Sequence, residues 1–230
     1  MSDMERLETL IGTLTTEVKD LKNAMEFMNS KFEECMTELR EAKRDKEVLT
    51  TTVKAMENKI KILEDKVMAN DIQLREDKLE IAGVPVSPNE DCKEIALQVA
   101  KKANPNLQPT DVIQAFRIGR MKNTDGNMNT NRPILVQYRC PHTRNTVFKN
   151  KKALRGVDTL MMGLANEKKN IYINEHLSGD MKFLLRQANI VRKEKEWRFL
   201  WTNGGVIHVR KSESSRVILI KRQEDLNFII

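Results

Sequence analysis

The chain has 230 residues, of which 32% are charged, 40% apolar and 5% aromatic, with a formal net charge of +7. No apolar run approaches the roughly 20 residues of a membrane-spanning helix, so the sequence reads as a coil plus one domain or two small ones. Cys35, Cys92 and Cys140 lie far apart, and no secretory signal opens the chain, which argues against a disulfide framework and for a reducing, intracellular setting.

Residues Leu7 to Leu74 follow an unbroken heptad register. The a positions run Ile11, Val18, Met25, Phe32, Leu39, Lys46, Val53, Ile60, Val67, Leu74. The d positions run Leu7, Leu14, Leu21, Met28, Cys35, Ala42, Leu49, Met56, Leu63, Asn70. A 3.5-residue apolar period of this length demands a partner helix and a left-handed supercoil. The self-association seam is therefore expected at Leu7, Ile11, Leu14, Val18, Leu21, Leu49, Val53, Ile60, Leu63 and Val67. β-Branched a positions with Leu at d lean towards two parallel strands. Pairing g with the following e of a parallel neighbour joins Glu17 to Lys22, Glu38 to Lys43, Lys59 to Glu64 and Lys66 to Asp71, all attractive; such pairs specify orientation more than stability.

At Lys78 the texture changes. Residues 1–77 hold 13 Lys or Arg against 18 Asp or Glu, whereas residues 78–230 hold 27 against 15, net charges of −5 and +12. A basic globular part on an acidic stalk points to a polyanion, nucleic acid before an anionic membrane. The segments in order are a strand over 78–85, a helix over 89–103 capped by Asn89 or a neighbour, a strand over 112–118, a polar loop over 121–131 and a strand over 133–138. A basic helix over 143–154 and a strand over 170–174 complete a βαββαβ order, the split βαβ arrangement of RNA-recognition-motif domains. Ser178 then caps a helix to about Lys195; Trp197–Thr202 and Val206–Arg210 flank the hairpin signal Asn203-Gly204-Gly205. A strand over 216–221 and a terminal helix from Glu224 close a small α+β unit. The expected divisions are 1–76 for the coiled-coil stalk, 77–177 for the RRM-like domain and 178–230 for the C-terminal domain.

Nucleic-acid contacts are expected from two basic groups. Arg117, Arg120, Lys122 and Arg132 flank the polar loop, and Arg139, Arg144, Lys149, Lys151, Lys152 and Arg155 crowd the following helix. Arg198, Arg210, Lys211 and Arg216, with Arg186 on the preceding helix, form the second group, interleaved with Trp197, Phe199 and Trp201. Trp197, Phe199 and Trp201 alternate and so project to one strand face, where core packing is favoured over base stacking, as it is for Tyr138; Tyr138 and Trp201 are the aromatic candidates for stacking. No phosphate loop, metal-binding acidic pair or nucleophile with its base is present, so no catalytic role is expected. Cys140 and His142 lack a second ligand pair, so neither metal nor cofactor is expected.

The segment Leu74-Arg75-Glu76-Asp77-Lys78-Leu79-Glu80-Ile81-Ala82-Gly83-Val84-Pro85, then Arg117-Ile118-Gly119-Arg120 and Arg132-Pro133-Ile134-Leu135-Val136, resembles the first open reading frame proteins of LINE-type non-LTR retrotransposons. Tyr172-Ile173-Asn174-Glu175-His176-Leu177, Leu184-Leu185-Arg186-Gln187-Ala188, Trp201-Thr202-Asn203-Gly204-Gly205-Val206-Ile207-His208-Val209-Arg210-Lys211 and Ser215-Arg216-Val217-Ile218 resemble the C-terminal domain of the baculovirus few-polyhedra protein. The resemblance implies a self-assembling protein that coats single-stranded RNA of a retroelement and acts as a strand-annealing chaperone. Lys149-Asn150-Lys151-Lys152 is a poor nuclear signal, so cytoplasmic particles are the expected location, with nuclear entry as an alternative. The resemblance also implies trimers, through a basic-apolar-x-x-apolar-Glu element that Lys59-Ile60-Lys61-Ile62-Leu63-Glu64 fits with Lys for the usual Arg; dimer and trimer both stay open. Glu80 stands where an ordinary RNA-recognition motif has its first-strand aromatic, which shifts expected affinity from base stacking to phosphates. RNA and single-stranded DNA are both expected ligands. A coiled-coil adapter of few-polyhedra type, with no nucleic-acid role, is the alternative.

Overall fold

The computed structural model describes residues 3–121 and 128–229. Helix α1, Asp3–Gln73, runs for 71 residues, about 105 Å at 1.5 Å per residue. All ten seam residues named above are at least half exposed among the described residues. Three consecutive β-branched residues, Thr50, Thr51 and Thr52, are accommodated because each hydroxyl donates to the carbonyl four residues earlier, which satisfies the hydroxyl without breaking the helical ladder.

The chain from Lys66 onward forms one compact unit with two buried clusters. The first belongs to β1 (Lys78–Ala82), α2 (Cys92–Ala103), β2 (Val112–Arg117), β3 (Ile134–Tyr138), α3 (Pro141–Lys149) and β4 (Tyr172–Glu175). The strands form an antiparallel sheet in the order β2-β3-β1-β4, the arrangement expected of a split βαβ fold. Period-2 alternation sends Leu79, Ile81, Ile134, Val136 and Tyr138 into one buried face with Val99 and Ala100 of α2 and Val147 and Phe148 of α3. Helix α2 begins later than Asn89, because Asp91 is its cap, accepting from the amides of Lys93 and Glu94. The basic helix divides at Asn150 into α3 and a 3₁₀ turn over Lys151–Leu154.

The second cluster belongs to α4 (Gly179–Glu194), capped by the Ser178 hydroxyl, and to the antiparallel sheet β5 (Phe199–Asn203), β6 (Val206–Arg210), β7 (Ile218–Ile220). Ile207, Val209 and Ile220 face Met181, Leu184 and Ala188 of α4. The terminal segment is a 3₁₀ turn over Gln223–Phe228 in place of the expected α-helix. Here the Asp225 carboxylate accepts from the amides of Lys221 and Arg222, a closure that fits the tight turn.

Two buried carboxylates join these clusters. Glu175, at the end of β4, accepts from Arg144 Nη2 at 2.9 Å and from the Gly204 and Gly205 amides at 2.9 and 3.3 Å. Glu80 in β1 binds His176 Nδ1 at 2.6 Å and the Lys182 ammonium of α4. Burial opposes ionisation of Glu80, but the hydrogen bonds and charges of His176 and Lys182 outweigh it and hold its carboxyl below the usual range. The β5–β6 turn also meets the end of α1: a Cβ on Gly205 would lie 2.9 Å from Ile72 Cγ1. These ties fix the small sheet beside α3 and its 3₁₀ extension.

Candidate nucleic-acid interface

Between the 3₁₀ turn after α3 and the outer face of the small sheet lies a groove of about 570 Å³. Its basic residues are Lys152 and Arg155 from the first and Arg198 and Arg210 from the second; Phe199, Leu200, Trp201 and Val217 supply the apolar lining. Residues more than forty positions apart in sequence thus converge.

The hairpin geometry explains which side chains arrive there. Gly204 and Gly205 have φ of +61° and +75°, as a two-residue type I′ turn requires at both central positions. That turn sets the register Asn203↔Val206, Thr202↔Ile207, Trp201↔His208, Leu200↔Val209, Phe199↔Arg210. With Ile207 and Val209 buried against α4, alternation places Phe199, Trp201, His208 and Arg210 together on the other face. The Arg198 and Arg210 guanidinium carbons sit 5.2 and 5.0 Å from the Phe199 ring centroid, within cation–π range. Arg210 Nε is buried without a protein acceptor. An unmet donor of this kind is costly unless water or a ligand accepts from it.

The expected single aromatic face of Trp197, Phe199 and Trp201 is divided. Trp197 is 7% exposed and packs in the core of the small unit, whereas Trp201 is 37% exposed on the groove. The strand starts only at Phe199, after Glu196 turns the chain with φ of +58°, so alternation does not extend back to Trp197.

Other expected contact residues have internal roles. Arg117 directs all five N–H groups inward: Nε and Nη2 to the Glu90 carboxylate at 2.8 and 2.7 Å, and the rest to the carbonyls of Val84, Pro85 and Arg132. Arg144 is buried, paired with Glu175 and bonded to the Lys78 carbonyl and Asn145. Neither guanidinium is presented to a strand. Tyr138 is fully buried on the helix side of the sheet, and burial pushes its phenol well above the ordinary range; it offers no stacking surface. Lys151 Nζ lies 3.8 Å from the Phe148 centroid, and burial pushes its ammonium down. Arg132 bonds the Arg117 carbonyl, and Arg139 bonds the Thr110 carbonyl from an exposed position. Arg120, Lys149, Arg186, Lys211 and Arg216 are exposed but outside the groove lining. Lys122 lies outside the described residues.

The four-stranded sheet's other face carries Glu80, Leu135 and Phe116 in register. In an ordinary RNA-recognition motif this face stacks bases. Here its centre is occupied by the Glu80–His176–Lys182 cluster, and Leu135 is buried. His208 and Val217 were missed as site residues in the sequence; the two-residue turn between β5 and β6 contains the signal for His208, because it fixes Trp201 opposite it.

Residues 178–230, from the α4 cap through the terminal turn, match the sequence family described as Baculovirus FP protein domain 2. The part of the groove supplied by β5 and β6 lies inside this match, and Lys152 and Arg155 lie outside it. No curated protein matches the chain. Among the described residues, no cluster of His, Cys, Asp or Glu is arranged to hold a metal, and no helix is long and apolar enough to cross a membrane.

Proposed function

We propose that this protein binds single-stranded nucleic acid with low sequence specificity, self-associates through α1 and packages long strands, acting as a ribonucleoprotein coat and annealing chaperone of a retroelement. The observation that carries this reading is the convergence of Lys152, Arg155, Arg198 and Arg210 on one aromatic-lined groove. Four cations around such a groove suit a phosphodiester backbone, which carries one charge per nucleotide and is recognised largely without regard to sequence. The internal use of Arg117 and Arg144 narrows the expected contact surface to this groove and the exposed cations around it. The long exposed seam of α1 supports assembly, and the resemblance to LINE-type proteins supplies the retroelement setting. Cytoplasmic particles remain the expected location.

The test is a salt titration of full-length protein on labelled single-stranded RNA and DNA, beside a variant with Lys152, Arg155, Arg198 and Arg210 all changed to Gln. The expected result is tight, salt-sensitive binding by the native chain and a log–log slope reduced by about 3 in the variant, from roughly 0.7 ions released per phosphate contact. Absence of binding at low salt would sink this reading and favour the adapter alternative.

A further inference from the structure

Trp201 is the feature of the groove that charge alone does not explain. A tryptophan in the middle of a strand normally contributes to a core through its large apolar area, and the chain's other tryptophan, Trp197, does so. Trp201 instead faces the groove, with its ring stacked on His208 at a centroid distance of 5.3 Å and an interplanar angle of 21°. His208 is itself fixed. Its Nδ1 lies 3.0 Å from the Val206 carbonyl oxygen, which can only accept, so Nδ1 carries the proton and the ring is held in plane beneath the indole. The indole is therefore supported on one side and lines the groove with the surface that remains exposed. Such a platform is ordered before a ligand arrives, so little side-chain freedom is lost on binding.

Phe199 has a different part. Its ring is flanked by Arg198 and Arg210, which occupy the surface a base would need, while the ring steadies both guanidiniums beside Trp201. Arg210 also retains the buried Nε–H that lacks an acceptor. The arrangement alternates one flat apolar surface with two held cations, matching a base and its adjoining phosphates.

We propose that Trp201, backed by His208, stacks one unpaired base, and that Arg198 and Arg210, steadied by Phe199, hold the phosphates beside it. This rests on the nucleic-acid reading of the groove and narrows its ligand: bases within a duplex already stack on their neighbours, so only an unpaired base can present a face to the indole. Base identity contributes little, because every base has such a face.

The experiment compares full-length protein on a uridine oligoribonucleotide, an abasic ribose-phosphate strand of the same length and an RNA duplex, by anisotropy and by tryptophan emission. The abasic strand carries the same phosphates without bases. The uridine strand is expected to bind roughly tenfold more tightly than the abasic one and to quench emission. Trp201→Ala should bring that ratio close to one while leaving the salt slope unchanged, and Trp201→Phe, a smaller aromatic, should retain part of it. The residual emission of Trp201→Phe, from Trp197, should not respond to RNA and also reports that the core is intact. Equal, salt-sensitive binding of uridine and abasic strands by the native chain would overturn the stacking role and leave the groove's phosphate reading standing. Failure to bind either strand at low salt would overturn both.

Discussion

Arg117 and Arg155 look alike in sequence, each a cation within two residues of a glycine in a basic stretch, yet one is enclosed by acceptors and the other is open on the groove. Arg117→Ala removes five hydrogen bonds and strands the Glu90 carboxylate, whose side chain is 10% exposed. A loss of about 3 to 5 kcal/mol is expected in urea unfolding, the cost of breaking one side of a buried pair. Arg155→Ala should change stability by less than about 0.5 kcal/mol and act on strand binding instead. Acid adds a further check. Hydrogen bonds from Arg117 hold the Glu90 carboxyl below its ordinary range, in spite of burial. That stabilisation is complete above the unfolded carboxyl's pKa and is lost as pH falls through the depressed folded value. Stability curves of the native chain and Arg117→Ala should therefore draw together in acid. Composition shows how many arginines a segment has; the pairing of Arg117 with Glu90 depends on the fold bringing 27 residues' separation to contact, and no local pattern announces it.

At the scale of elements, order was legible and junctions were not. Heptads, period-2 runs and the Asn203-Gly204-Gly205 signal fixed the sequence of helices and strands, because each arises from local spacing. The break in alternation before Phe199 depends on the left-handed turn at Glu196, a residue type that gives no warning of it. The burial of the open sheet face by Glu80, His176 and Lys182 is likewise a contact between distant segments. Glycine positions expose the same distinction. At Gly83, with φ of +96°, an added Cβ would lie 2.0 Å from the carbonyl oxygen of Asn170, whose backbone is held in a bridge with Asp158 just before β4. At Gly204, with φ of +61°, the added atom would meet open space. Gly204→Ala should cost only about 1 to 2 kcal/mol, from the left-handed backbone, whereas Gly83→Ala should leave little folded protein; circular dichroism and thermal melts of the pair measure the difference.

For the whole molecule, assembly depends on the α1 seam, whose last turns belong to the compact unit that begins at Lys66. Within that unit, Met68, Asp71, Ile72 and Arg75 are partly buried, while the seam positions Val67 and Leu74 stay exposed. Inside that unit the last turns of α1 therefore pack with a face other than the heptad stripe, and Val67 and Leu74 stay open. On the proposed reading, each joined chain adds a groove, and a strand held by one is presented to the next at high effective concentration. Val53→Asp combined with Ile60→Asp places two charges in the seam and should yield monomers in sedimentation equilibrium. Short strands, which reach one groove, should bind the monomer and the assembly alike. Long strands should lose about a hundredfold or more in affinity, because the groove is untouched and only the linkage is gone. If the monomer instead holds long strands as tightly as the native chain, one groove already accounts for the affinity and α1 serves a partner other than the strand.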